Sequence, residues 1–181
     1  VKTLTLLRHA KSSWDDPVER DLDRPLNKKG HRAAVAIGRQ LHALGLHYDW
    51  VIASPAVRVR ETIDSLEAGY ARPLEAHYDR RAYLASAPAL LELIHATPDS
   101  ADTLLLIGHN PGLEELVLLL VPDRDEDLER DKVEEKYPTA AIAEIALDID
   151  SWVAATPGCG RLLRFVRPRD LDPALGPDRD H

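Results

Sequence analysis

Leu4-Thr5-Leu6-Leu7-Arg8-His9-Ala10-Lys11-Ser12-Ser13 is an apolar run that stops abruptly at an arginine, a histidine and small polar residues. Leucine and a β-branched threonine in sequence, with no helical period and a polar break behind them, predict a strand buried on both faces. In open α/β sheets ligands bind beyond the carboxyl ends of the strands, so Arg8 and His9 are placed for an anionic ligand. Read alone, the same pair also suits a helix-capping histidine beside a surface arginine.

Working outward, Trp14 to Pro25 (WDDPVERDLDRP) is charged and carries two prolines, which predicts a loop long enough to cover a site. Asn27 is the expected cap of a helix in which Ala33, Ala34, Ile37, Leu41 and Leu44 recur at three- and four-residue steps, with Gly45 as the stop. Trp50-Val51-Ile52-Ala53 predicts a second short strand. Ser54-Pro55 then reads as an N-cap with proline at the first helical position, which puts Arg58 in the first turn of the next helix. A weaker strand is expected near Pro73 to His77, then the irregular DRRAYLAS stretch and a helix opened by Ser86.

Thr103-Leu104-Leu105-Leu106-Ile107 is the clearest strand, and Gly108-His109-Asn110-Pro111-Gly112 turns it directly into a helix, with Asn110 as cap and Pro111 in the first turn. Residues 123–136 are nearly all charged and read as a solvated loop or exposed helix. Ala140 to Ile149 and Leu162 to Val166 predict two final strands. Strands alternating with amphipathic helices of this length indicate a three-layer α/β/α sandwich around a mostly parallel sheet, with an antiparallel edge strand.

Composition narrows the function classes. The 181 residues carry a formal charge of −8, so long-range repulsion opposes nucleic acid and anionic membranes, and any anion site must be a local basic pocket. The single cysteine, Cys159, excludes an internal disulfide and a multi-cysteine metal cluster. No stretch reaches the roughly 18 apolar residues of a membrane span, and no secretory h-region stands at the amino end, so a cytoplasmic address is expected. Residues 1–171 are expected to form one domain and 172–181 a C-terminal tail.

Three strand-to-helix junctions thus each offer a group suited to a phosphoryl: Arg8 and His9, then Arg58, then His109. Together they set two guanidinium groups and two imidazoles at one sheet edge beside helix N-termini, and a phosphate best uses that set. Each has an ordinary alternative in isolation, Arg58 as a solvated helix arginine and His109 as a buried structural histidine. The other histidines, His31, His42, His47, His77, His95 and His181, have no comparable setting.

With these residues in place, Leu7-Arg8-His9-Ala10, Ser54-Pro55 with Arg58 and Thr62, and Gly108-His109 resemble the histidine phosphatase superfamily, of phosphoglycerate mutase-like fold. The segments RHAKSSW, DRPLNKKG, LIGHNPGLEEL, YPTAAIAEI and FVRPRDL are similar to its SixA-like phosphohistidine phosphatase branch, in order from about residue 3 to 171.

The resemblance implies a phosphatase without metal or other cofactor, in which His9 is the nucleophile that becomes a phosphohistidine and Arg8, Arg58 and His109 hold the phosphoryl oxygens. It implies a phosphorylated protein or small phosphorylated substrate as partner and inorganic phosphate as product. Many family members place a glutamate after the third strand as general acid. Here that region reads Tyr78-Asp79-Arg80-Arg81-Ala82-Tyr83, leaving Asp79 as a weak candidate. Two alternatives stay open: a small-molecule phosphomonoesterase of the same superfamily, and a phosphate-dependent binding protein without turnover.

Overall fold

The computed structural model describes residues 1–15, 18, 20–124 and 126–177. Asp16, Pro17 and Glu19 of the expected covering loop, Asp125 of the charged stretch and residues 178–181 of the expected tail lie outside the described residues.

The run that opens the chain is β1 (Lys2–Arg8), with Leu4, Leu6 and Leu7 fully buried. Each leucine side chain taken wholly out of water contributes on the order of 1.5–3 kcal/mol, enough to hold β1 in the sheet interior. The other strands are β2 (Trp50–Ala53), β3 (Ala76–Tyr78), β4 (Thr103–Gly108), β5 (Ile142–Leu147) and β6 (Gly160–Val166). They form one six-stranded sheet in the order β3-β2-β4-β1-β5-β6. β1, β2, β3 and β4 pair in parallel, whereas β5 pairs antiparallel with both β1 and β6. The reversed strand is therefore one in from the edge.

Among the described residues six helices cover the sheet: α1 (Lys28–Ala43), α2 (Val57–Tyr70), α3 (Ala87–His95), α4 (Gly112–Leu120), α5 (Leu128–Glu135) and the short α6 (Pro168–Leu171). Buried residues of α1 and α2 pack with Leu7, Leu105, Ile107 and Ile142 on one face. Those of α3 and α4, with Val133 of α5, pack with Leu4, Leu6, Leu104 and Leu106 on the other. Side chains that alternate along β1 and β4 feed both cores, as a doubly covered sheet requires. α1 and α2 approach through glycines: a Cβ at Gly38 would collide with the Leu66 carbonyl, and one at Gly69 with that of Val35.

Local rules place most boundaries. Asn27 caps α1 by accepting from the Gly30 N–H at 2.8 Å, and Ser86 caps α3. Two junctions differ from expectation. α2 begins at Val57 with Ala56 as N-cap, so Ser54 is not the cap; its Oγ accepts instead from the Ala56 N–H at 3.3 Å and from a histidine that follows the neighbouring strand β4. α4 begins at Gly112, after a cis Asn110–Pro111 bond, while the Asn110 side chain still accepts from the Glu114 N–H at 3.2 Å. Leu44 lies beyond α1 and is exposed.

The charged stretch also does more than stay in solvent. Arg130 and Val133 of α5 are buried, and the Arg130 guanidinium donates to the Val121 carbonyl at 2.9 Å, at the end of α4. After β6, Pro173–Leu175 makes a single tight turn, and Leu171 and Leu175 pack at the margin of the α1/α2 core.

Candidate active site

Strand register brings the candidate residues together. Arg8 is opposite Gly108 and Ala53 opposite Ile107, so the chain leaves β1, β4 and β2 at a common level. The His9 N–H donates to the Gly108 carbonyl at 3.1 Å and the Ser54 N–H to that of Ile107 at 3.1 Å. His9 and His109 follow their strands side by side, with ring centroids 5.2 Å apart. Thr62 on α2 ties the arrangement: its Oγ1 accepts from the Ala10 N–H at 2.9 Å and donates to the Arg58 carbonyl at 2.6 Å.

Hydrogen bonds settle both imidazoles. His9 Nδ1 is 2.7 Å from the Ala10 carbonyl oxygen, which only accepts, so Nδ1 carries the proton and Nε2 keeps its lone pair. A terminal nitrogen of Arg58 is 3.3 Å from His109 Nδ1, and a guanidinium only donates. His109 Nε2 therefore carries the proton and donates to Ser54 Oγ at 2.7 Å. Burial lowers His9 to about 3, helped by the neighbouring His109, Arg8 and Arg58 and opposed by the Ala10 hydrogen bond. Burial likewise lowers His109 to about 3, with Arg58 the next cause. Both rings are neutral at physiological pH.

Arg58 is 1% exposed and is held by the loop between β1 and α1. Its terminal nitrogens donate to the Asp21 carbonyl at 2.9 Å and to Asp21 Oδ2 at 3.0 Å. The same carboxylate accepts from the Tyr83 hydroxyl at 2.5 Å and from Arg24. Partial desolvation alone would raise Asp21, but the Tyr83 hydrogen bond, the Arg58 charge and the Arg24 and Arg58 hydrogen bonds outweigh it and bring it to about 2. Arg8 donates to the Tyr137 carbonyl at 2.9 Å. Among the described residues the Nε atoms of Arg8 and Arg58 are buried with no hydrogen-bond partner.

Arg8, His9, Arg58 and His109 thus all lie at the edge the sequence assigns them. Asp79 is tied elsewhere: its carboxylate takes several hydrogen bonds from Arg81, which hold its pKa below the usual carboxylate range. Asp21, Ser54 and Tyr83 are residues that sequence reasoning did not assign to the pocket. Asp21 is one of several acids in a polar loop, and nothing local distinguishes it. Among the described residues no group of three or more His, Cys, Asp or Glu side chains is arranged to hold a metal ion.

Residues 4–81 match the histidine phosphatase superfamily (branch 1). An uncharacterised Mycobacterium tuberculosis protein is 35% identical over 164 residues, spanning 90% of this chain and all of that one. A structure from Nakamurella multipartitia, assigned as the phosphohistidine phosphatase SixA, superposes with a TM-score of 0.81 at 25% identity over 92% of this chain and 96% of that one. A SixA assigned in the same way from Agrobacterium tumefaciens gives 0.74 at 28% identity over 92% and 98%. The chain belongs to the SixA-like branch of the histidine phosphatase superfamily. An uncharacterised chloroplastic protein of Arabidopsis thaliana is 38% identical to this histidine phosphatase over 129 residues, 66% of this chain and 59% of that protein. A SixA complexed with tungstate shares the fold of this phosphatase, with a TM-score of 0.75 at 21% identity over 94% and 99%.

Proposed function

We propose that this histidine phosphatase is a phosphohistidine phosphatase that acts on a phosphorylated protein or peptide through a covalent intermediate on His9. The observation that carries the reading is the His9 ring itself: neutral, oriented through Nδ1, and left with a lone pair on Nε2 beside Arg8, Arg58 and His109. In the first step Nε2 bonds to phosphorus as the bond from phosphorus to the substrate imidazole breaks, and the departing nitrogen takes a proton from solvent. Water then attacks the phosphorylated His9, releasing inorganic phosphate and restoring the free ring.

Arg8 and Arg58 supply fixed positive charge to the phosphoryl oxygens, the part a divalent metal takes in other phosphatases, so the reaction is proposed to need no metal. A phosphate dianion beside the guanidiniums would also offset the Arg58 part of the lowering of His109, whose larger cause is burial.

Substrate class follows from the leaving group. Asp21, bonded to Arg58, and Asp79, bonded to Arg81, are both held ionised and cannot protonate a departing alkoxide at neutral pH. An imidazole leaves with less help, which favours a P–N bond over a phosphoester. The proposal keeps the cytoplasmic address expected from composition, with no nucleic acid or membrane partner.

A substrate panel tests the reading. Turnover of a phosphohistidine peptide should exceed that of alkyl phosphate esters, His9→Ala should abolish it with the fold intact, and a chelator should change nothing. Preference for the esters would move the protein to the small-molecule phosphomonoesterases.

A further inference from the structure

A second concentration of positive charge in this acidic protein adjoins the four-residue pocket at Arg8. A cleft of about 440 Å³ runs from Arg8 between the start of α1, the segment before β5, α6 and the C-terminal turn. Arg8, Lys11, Lys29, Lys136, Arg167 and Arg169 line it, with no carboxylate among the lining residues, although the whole chain carries a charge of −8. Part of that charge is engaged: Arg167 is paired with Asp170 at 2.8 Å, and Lys29 donates to the Gly176 carbonyl. Lys136 and Arg169 are exposed and carry no ion pair among the described residues. Like charges lining one cleft repel one another, and an anion between them relieves that repulsion.

We infer that this cleft binds a small molecule bearing two or three linked phosphates, held apart from the phosphoryl at His9 and sharing Arg8 with it. The cations come from separate chain segments around one cleft, which suits a chain of tetrahedral oxyanions better than a planar carboxylate. A single phosphate carries too little charge to satisfy them. Its volume of about 440 Å³ falls in the range of a small-molecule site rather than the extended groove an acidic peptide needs. Pro138, Pro168 and Leu175 give it rigid apolar walls against which an organic portion can pack.

The test needs no turnover and so is independent of the reaction assigned above. Calorimetry on the His9→Ala protein should show inorganic tripolyphosphate binding at least about tenfold tighter than orthophosphate, the difference one further charge-assisted contact makes. Reversing the two exposed cations, Lys136→Glu with Arg169→Glu, should weaken tripolyphosphate about tenfold or more and orthophosphate less than about twofold. A melting curve checks the fold, and Lys136→Gln with Arg169→Gln replaces the reversal if that protein is unstable. Equal affinities for the two anions, or no response to either pair of substitutions, would overturn the assignment. So would a hexaglutamate peptide binding as tightly as tripolyphosphate, which would transfer the cleft to an acidic protein segment.

Discussion

The His9 Nδ1 lies 2.7 Å from the carbonyl oxygen of the next residue, Ala10, and that contact determines which nitrogen can react. With Nδ1 donating, only Nε2 has a lone pair, and any phosphoryl taken up by this ring must be bonded there. Brief exposure to a phosphohistidine donor followed by alkaline denaturation should preserve the Nε2-phosphorylated isomer of His9, identified by heteronuclear phosphorus NMR. Phosphate on Nδ1 would show that the ring turns over before it reacts.

Two buried neutral histidines also tie stability to pH. The ordinary value near 6.5 holds in the unfolded chain, whereas His9 and His109 are lowered to about 3 in the fold. Between those values the unfolded state binds more protons, so the stabilisation is complete above about pH 6.5 and is lost as pH falls toward 3. Each histidine contributes a slope of up to about 1.4 kcal/mol per pH unit in that window. Urea unfolding at pH 4, 5 and 6 should show the native chain losing stability faster than a His9→Gln, His109→Gln protein. Parallel curves would mean that the rings are already charged in the fold.

Asp21 sets the reach of Arg58, since it binds the guanidinium through both its carboxylate and its backbone carbonyl. Asp21→Asn should lower kcat/KM by about 10- to 100-fold, mostly through KM, because a displaced clamp loses aligned contacts to the phosphoryl. Stability should change by less than about 1 kcal/mol, since the Asp21 side chain is 40% exposed. A fall in KM would instead mark the carboxylate as an occupant that substrate must displace.

Legibility in the sequence followed the range of the interaction. β1 and β4 are uninterrupted apolar runs buried on both faces, and the positions of His9 and His109 come directly from where those runs stop. Asp21 was beyond reach because its partners, Arg58 and Tyr83, are 37 and 62 residues away, joined by the path of a long loop. Ser54 was misread for another reason. Ser-Pro after a strand is a strong capping signal, but the Ser54 hydroxyl accepts from the Ala56 N–H and from buried His109 just after β4, and the helix starts later, at Val57. In residues 123–136 the charge run hid a three-residue step, Arg130 to Val133, that turns one face inward.

Thr62 is the place where fold and site depend on a single hydroxyl. It is fully buried on α2, and Oγ1 satisfies the Ala10 N–H just after His9 while donating to the carbonyl of Arg58. Thr62→Val keeps the shape but leaves the Ala10 N–H buried and unpaired, at a cost of about 1–3 kcal/mol. Thr62→Ser keeps both hydrogen bonds and loses one methyl group, about 1 kcal/mol. Equilibrium unfolding should therefore rank native, then serine, then valine. Activity should separate them further, with serine close to native and valine reduced, because only valine releases the segment that orients His9. A valine protein as stable and as active as the serine one would show that the Ala10 N–H finds another partner, and that the link from α2 to the His9 segment is not needed.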